Sequence, residues 1–196
     1  MLQSVSFPVA GAEVLAILHL PSSEAVGAVA MLADRGMQYE HPDLLLTANA
    51  LADAGVGALR FEWRSKQPTL DDATADVVAA LRLLKAHPAL PGAIGVAGFG
   101  FGAAVAAVAA GRDSRVKVAA LVGVHAEVEG SRRPLVEVTR SRARILIIRG
   151  DEADDADRYA TVLSQARVTH RVSERKPRER MVREIADWAK ESFAAT

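Results

Sequence analysis

The 196-residue chain predicts an α/β fold, with a mostly parallel central sheet of about eight strands flanked by helices. Three observations carry the prediction. Apolar runs alternate with stretches of helical periodicity along most of the chain. Several runs are continuously apolar, as strands buried on both faces require. A glycine-rich turn at 98–102 then joins one such run to an alanine-rich helix.

Each element follows from local signals. Residues 4–8 and 13–20 are short apolar segments around Gly11, which suits a hairpin at a sheet edge, and Pro21-Ser22-Ser23 ends the pattern. The run 26–32 reads as a buried strand. His41-Pro42-Asp43 opens a helix over 44–54 that Gly55 closes. The unit repeats with a strand at 57–61 and a helix at 70–84, whose first turn carries Asp71 and Asp72. A strand at 93–97 leads into the helix 101–110. Strands at 116–124 and 143–149, a helix at 155–165, a weaker strand at 168–172 and an amphipathic helix at 182–193 complete the order. Between them, 130–142 is a polar, basic connection with room for a short helix. No repeat or low-complexity segment appears, and one domain over 1–196 is expected, without a separate lid.

Composition narrows the function classes. Lys+Arg equals Asp+Glu at 24 each, so no basic excess points to nucleic acid. The mixed signs of Arg175-Lys176-Pro177-Arg178-Glu179-Arg180 read as a solvated helix entrance. Cysteine is absent, which removes disulfides and thiolate metal sites. His19, His41, His87, His125 and His170 are scattered without metal-ligand spacing, so no metal is expected. The first seven residues lack a leader pattern and no apolar stretch is long enough to span a bilayer, so a cytoplasmic location is expected.

In a sheet of this kind ligands sit beyond the carboxyl ends of the strands. That rule singles out Asp34, Arg35, Gly36, Trp63, Arg64, residues 98–102, His125, Glu127, Asp151 and Asp154. The richest of these stretches is Gly98-Phe99-Gly100-Phe101-Gly102. A sharp strand-to-helix turn needs small residues around its strained apex, and the pattern matches G-x-S-x-G at every position but the apex, Gly100. A dinucleotide-binding turn is the competing reading. It requires a further glycine where Ala103 stands and a place in the first βαβ unit, so no cofactor is expected.

With these residues the chain resembles the α/β-hydrolase superfamily, in particular the small lidless members related to dienelactone hydrolases and short acyl-esterases. The segment 58–64 looks like the family's strand that ends in an arginine-containing loop, and 145–150 like the strand preceding the catalytic acid. The resemblance implies a nucleophile at Gly100, which has no side chain to deprotonate. It implies an acid three residues after Gly150, where Ala153 stands among Asp151, Glu152, Asp154 and Asp155; Asp154 is the candidate. It implies a histidine in the loop 173–177, which has none; His170 is the nearby candidate. The oxyanion loop reads Asp34-Arg35-Gly36-Met37 where the family has His-Gly.

Losses at three positions together read as natural divergence rather than one introduced change. The expectation is therefore a hydrolase-like protein without the Ser-His-Asp triad, serving as a scaffold for a small molecule at the carboxyl edge or for a protein partner. Asp34, Arg35, Gly36, Arg64, Phe99 and Phe101 are its candidate binding residues. Two alternatives stand beside it. One is a lyase, isomerase, cyclase or hydrolase using His125 as acid or base with a nearby carboxylate and an arginine for an anionic substrate. The other is an inactivated serine esterase.

Overall fold

The computed structural model describes residues 1–150 and 154–195. Asp151, named above as a site candidate, lies outside the described residues, as do Glu152 and Ala153. An eight-stranded sheet runs in the order β1-β2-β4-β3-β5-β6-β7-β8. β1 (Leu2–Val9) and β2 (Ala12–His19) form the expected hairpin, with Gly11 at φ +82° in its turn. β2 joins β4 (Val56–Phe61) antiparallel, and every later pairing is parallel. These are β3 (Gly27–Leu32), β5 (Ile94–Phe99), β6 (Val116–Val122), β7 (Arg144–Ile148) and β8 (His170–Ser173).

The register brings Phe99, Val122, Ile148 and Ser173 level across the carboxyl edge. β6 stops at Val122 rather than running to 124, because Gly123 turns the chain at φ +60°. β5 runs on to Phe99, two residues beyond the expected end, carrying the sheet up to the glycine turn.

Helices cover both faces, and each face has its own core. α1 (Pro42–Asp53) and the last helix pack Leu44, Leu51, Ile185, Trp188 and Phe193 against Val29, Met31, Ala97 and Phe99. On this side Gly27 and Gly95 are required: a Cβ at Gly27 would lie 2.7 Å from Phe193 Cε2, and one at Gly95 would overlap Val118. α2 (Leu70–Ala86) and α3 (Phe101–Arg112) cover the other face, joined by the short α4 (Arg133–Glu137), a 3-10 turn (Val138–Arg140), and α5 (Ala156–Gln165). α6 (Arg178–Ala194) closes the order.

α3 explains its own composition. Residues 101–110 are all buried, so the helix has no solvent face and needs no polar stripe. Its small residues let the backbone approach β3: a Cβ on Gly102 would come within 2.6 Å of the Ala33 carbonyl oxygen. Small Ala28 and Ala30 of β3 face the same layer. Close packing against α3 places the end of β3 and the start of α3 side by side.

Candidate functional site

The turn between β5 and α3 holds Gly100 at φ 52°, ψ −116°, a conformation closed to most L residues. The Gly100 N–H donates to the Val122 carbonyl at 2.9 Å, so the sheet ladder runs directly into the turn. Gly98 and Gly102 pass close beneath it, since a Cβ at Gly98 would sit 2.6 Å from Ala103 N. This is the sharp strand–turn–helix that exposes a side chain at the top of an α/β-hydrolase sheet. Here the apex has none.

What fills the apex is Asp34. It lies two residues past β3, and its carboxylate stands where a Cβ on Gly100 would be, with Cγ 2.5 Å from that position. Asp34 Oδ1 accepts two backbone N–H groups, from Phe101 at 2.8 Å and from Arg35 at 2.8 Å. In a working elbow those are the kinds of donor that hold an oxyanion: the residue after the apex, and one from the loop after β3. Asp34 therefore occupies, with a negative charge from within the chain, N–H donors of the kind that would otherwise stabilise the charge developing on a reacting acyl oxygen.

Arg35 and Phe101 close the space above. The Arg35 guanidinium lies 4.0 Å from the centroid of the Phe101 ring and donates to the Pro68 carbonyl at 3.0 Å. It also pairs with Glu129, whose other oxygen accepts the Leu70 N–H at 3.3 Å. Glu129, at φ 55°, sits with Gly130 in a tight turn in the connection after β6. Sequence reasoning did not single it out, and its pairing across 94 residues leaves no local signal. Phe101 continues an edge-to-face aromatic row through Trp63 and Phe61 to Phe7. Trp63 Nε1–H donates to the Ala33 carbonyl at 3.1 Å, fixing the end of β4 against the end of β3. Gly36, at φ +75°, is exposed on the rim of a separate cavity of about 290 Å3 beside Trp63 and Lys66.

Arg64, expected to be a binding residue, is bound within the fold instead. Its Nε lies 3.1 Å from Asp76 and its Nη2 2.5 Å from Asp72, and its backbone N–H donates to Asp76. Asp76 is fully buried on α2, and burial pushes its carboxyl pKa up against the opposing pull of Arg64. The guanidinium holds the loop after β4 to α2.

The remaining candidates do not converge. Asp154 is half-buried after β7, where Oδ2 accepts the Gly150 N–H at 2.7 Å and Oδ1 the Ala156 N–H at 3.2 Å; it shapes the turn into α5. His170 begins β8 opposite Ile145, three residues before Ser173 and so about 10 Å from the carboxyl edge. Its ring contacts the Val168 carbonyl and Ser164 Oγ. The chain reverses just ahead of it, at Arg167 with φ 59°, which sets this register. His125 is exposed, and its ring meets no carboxylate among the described residues; only its carbonyl is engaged, by the Tyr159 hydroxyl at 3.2 Å. Glu127 is exposed and 3.9 Å from Arg132. Among the described residues no carboxylate pairs with His125, and Asp151, the remaining partner expected for it, lies outside them. Among the described residues, no cluster of three His, Asp or Glu could hold a metal ion.

Phe99 points the other way, into the α1–α6 face, where it is 5% exposed. It floors a cleft bounded by Val122, Arg149 and the loop entering α6.

The dienelactone hydrolase family matches residues 28–174. The chain belongs to that family. Solved structures agree with the fold. Est1E from Butyrivibrio proteoclasticus superposes with a TM-score of 0.81 at 14% identity, covering 97% of this chain and 99% of its own. A dienelactone hydrolase from Anabaena variabilis gives 0.77 at 19% identity, covering 100% and 97%. The esterase domain of a Rhodothermus marinus protein gives 0.76 at 16%, covering 98% and 99%. No curated protein matches the sequence significantly. Among the described residues no helix of this family member is long and apolar enough to cross a membrane.

Proposed function

We propose that this member of the dienelactone hydrolase family forms no acyl-enzyme and works as a binding module for a small molecule at the carboxyl edge of its sheet. One observation carries the reading: the Asp34 carboxylate stands against Gly100 and takes the Phe101 N–H. Acyl transfer at this turn needs a nucleophile at the apex and free donors for the developing oxyanion. Gly100 supplies no nucleophile, and a carboxylate already holding the donors repels the oxyanion by like charge. The absence of a histidine in 173–177 supports the same reading. We read residues 1–196 as one such module, and the cytoplasm as its compartment.

The test is direct. The purified chain is incubated with p-nitrophenyl acetate and butyrate and with a fluorophosphonate probe, and its intact mass is recorded. No turnover above the buffer rate and no mass increase are expected. Ester turnover that disappears on changing one residue around Gly100, or an acyl or phosphonyl adduct on the chain, would overturn the reading.

A further inference from the structure

We propose that the cleft between the ends of β5, β6 and β7 and the entry to α6 binds a small organic anion, a carboxylate or phosphate monoester with a short apolar group. This rests on the binding-module reading and names its ligand class. The cleft encloses about 250 Å3, the volume of about eight water molecules, which suits a ligand of roughly that many heavy atoms. Its floor is apolar: Phe99 and Val122 are at most 9% exposed, and Met181 lines the side. Its rim is cationic, with Arg149, Arg175, Lys176 and Arg178. Among the described residues that line it Asp43 is the one carboxylate, and Arg178 Nε holds it at 2.5 Å.

The two acids nearest Arg149 lie outward, while the third, Asp154, with its side chain 5% exposed, stands farther off at 3.9 Å from Nη1 and is held by the Gly150 and Ala156 N–H groups. Asp157, 2.6 Å from Nη2, and Glu174, 3.3 Å from Nε, have side chains 82% and 81% exposed. Such solvated pairs contribute little net stability. A carboxylate arriving over the apolar floor can exchange for them and gain a two-pronged hydrogen bond from the guanidinium. Lys176 is held more firmly, since its partner Glu184 also accepts the Ser173 hydroxyl at 2.9 Å. α6 adds to the positive field: its N-terminal turn faces the cleft at Pro177 and Arg178, and no side chain caps it. The combination of rim and floor selects a ligand with one charged and one apolar end.

Benzoate and its neutral counterpart benzyl alcohol are titrated into the full chain and followed by calorimetry and ligand-observed NMR. Benzoate is expected to bind at least tenfold more tightly than benzyl alcohol. Arg149→Gln should weaken benzoate at least tenfold, whereas Arg82→Gln, on the exposed face of α2, should leave it within twofold. Glu174→Gln removes a competing carboxylate and should tighten benzoate at least twofold, so the proposal is tested even if Arg149→Gln does not fold. Equal affinity for the two compounds, no benzoate binding, or no response to both Arg149→Gln and Glu174→Gln would overturn it. None of these outcomes bears on acyl transfer, which the esterase and fluorophosphonate assays decide separately.

Discussion

Arg60 and His19 form a hydrogen bond inside the sheet, with the guanidinium Nε–H donating to His19 Nε2 at 2.8 Å and neither residue more than 5% exposed. The imidazole must be neutral at Nε2 to accept that bond. Burial, reinforced by the adjacent Arg60 charge, lowers its pKa from 6.5 to about 4. The unfolded chain therefore binds a proton at His19 that the native state refuses between those values. This contribution to stability is complete above pH 6.5 and is lost as pH falls to about 4, amounting to about 3 kcal/mol over the window. Urea unfolding at a series of pH values should show that decline, and His19→Gln should flatten it. An unchanged slope in the variant would refute the assignment. Because Arg60 also donates to the Tyr39 carbonyl, the same protonation should loosen the loop between β3 and α1.

Gly100 and Asp34 occupy one space, so their substitutions should be coupled. Gly100→Ser places a side chain on the carboxylate and a non-glycine residue at φ 52°. Displacing Asp34 from its two N–H donors and straining the turn should cost about 3 kcal/mol. Asp34→Ala in the Gly100→Ser background should restore part of that loss, whereas Asp34→Ala alone should destabilise by about 1–2 kcal/mol through the two orphaned donors. Chemical denaturation of the four proteins in the cycle measures the coupling. Neither serine variant should turn over p-nitrophenyl esters, since His170 lies at the other end of β8. Turnover gained from Gly100→Ser alone would mean that a working base stands near the turn.

The fold was legible because burial dictates composition along each strand. β3, β4 and β5 are buried at every position, and their apolar runs, broken only by Arg60 in β4, admit few other readings. The glycines at 98, 100 and 102 announced the strained turn because only small residues fit where backbones nearly touch. The site was less legible. Asp34, Arg35 and Phe101 were named, but that Asp34 turns inward to the Phe101 N–H depends on how β3 and α3 approach, 67 residues apart. Arg64 looked available because its partners Asp72 and Asp76 read as ordinary helix residues. His170 failed as a candidate by register alone: strand 168–172 shifted to His170–Ser173, leaving the ring at the wrong end of the sheet.

Asp76 should matter far more than Asp72, although both meet Arg64. Asp76 is fully buried and receives both the guanidinium and the Arg64 backbone N–H. Asp76→Ala leaves a guanidinium only 17% exposed with the half-exposed Asp72 as its remaining partner and orphans the Arg64 backbone N–H, which should cost about 3 kcal/mol. Asp72 is half exposed, and although the Thr69 hydroxyl and Arg64 keep its pKa low, solvent replaces both when it is lost. Asp72→Ala should therefore have the smaller effect by thermal denaturation. Equal losses from the two would show that the helix cap at Thr69, not the ion pair, carries the contribution of this cluster.

Gly98→Ala and Gly36→Ala separate two demands that glycine meets. Gly98 has an ordinary backbone, but a methyl there would lie 2.6 Å from Ala103 N, and neither β5 nor the first turn of α3 can move without breaking the sheet ladder through Gly100. Overpacking against backbone has no side chain to deflect, so the loss should exceed about 3 kcal/mol, with reduced yield of folded protein. Gly36 has open space around it and only its φ of +75° to maintain, so alanine there should cost about 1 kcal/mol. Calorimetric unfolding of both variants makes the comparison. If Gly98→Ala proved as mild as Gly36→Ala, β5 and α3 would have to part by several tenths of an ångström, and Asp34 could not then hold the Phe101 N–H at 2.8 Å.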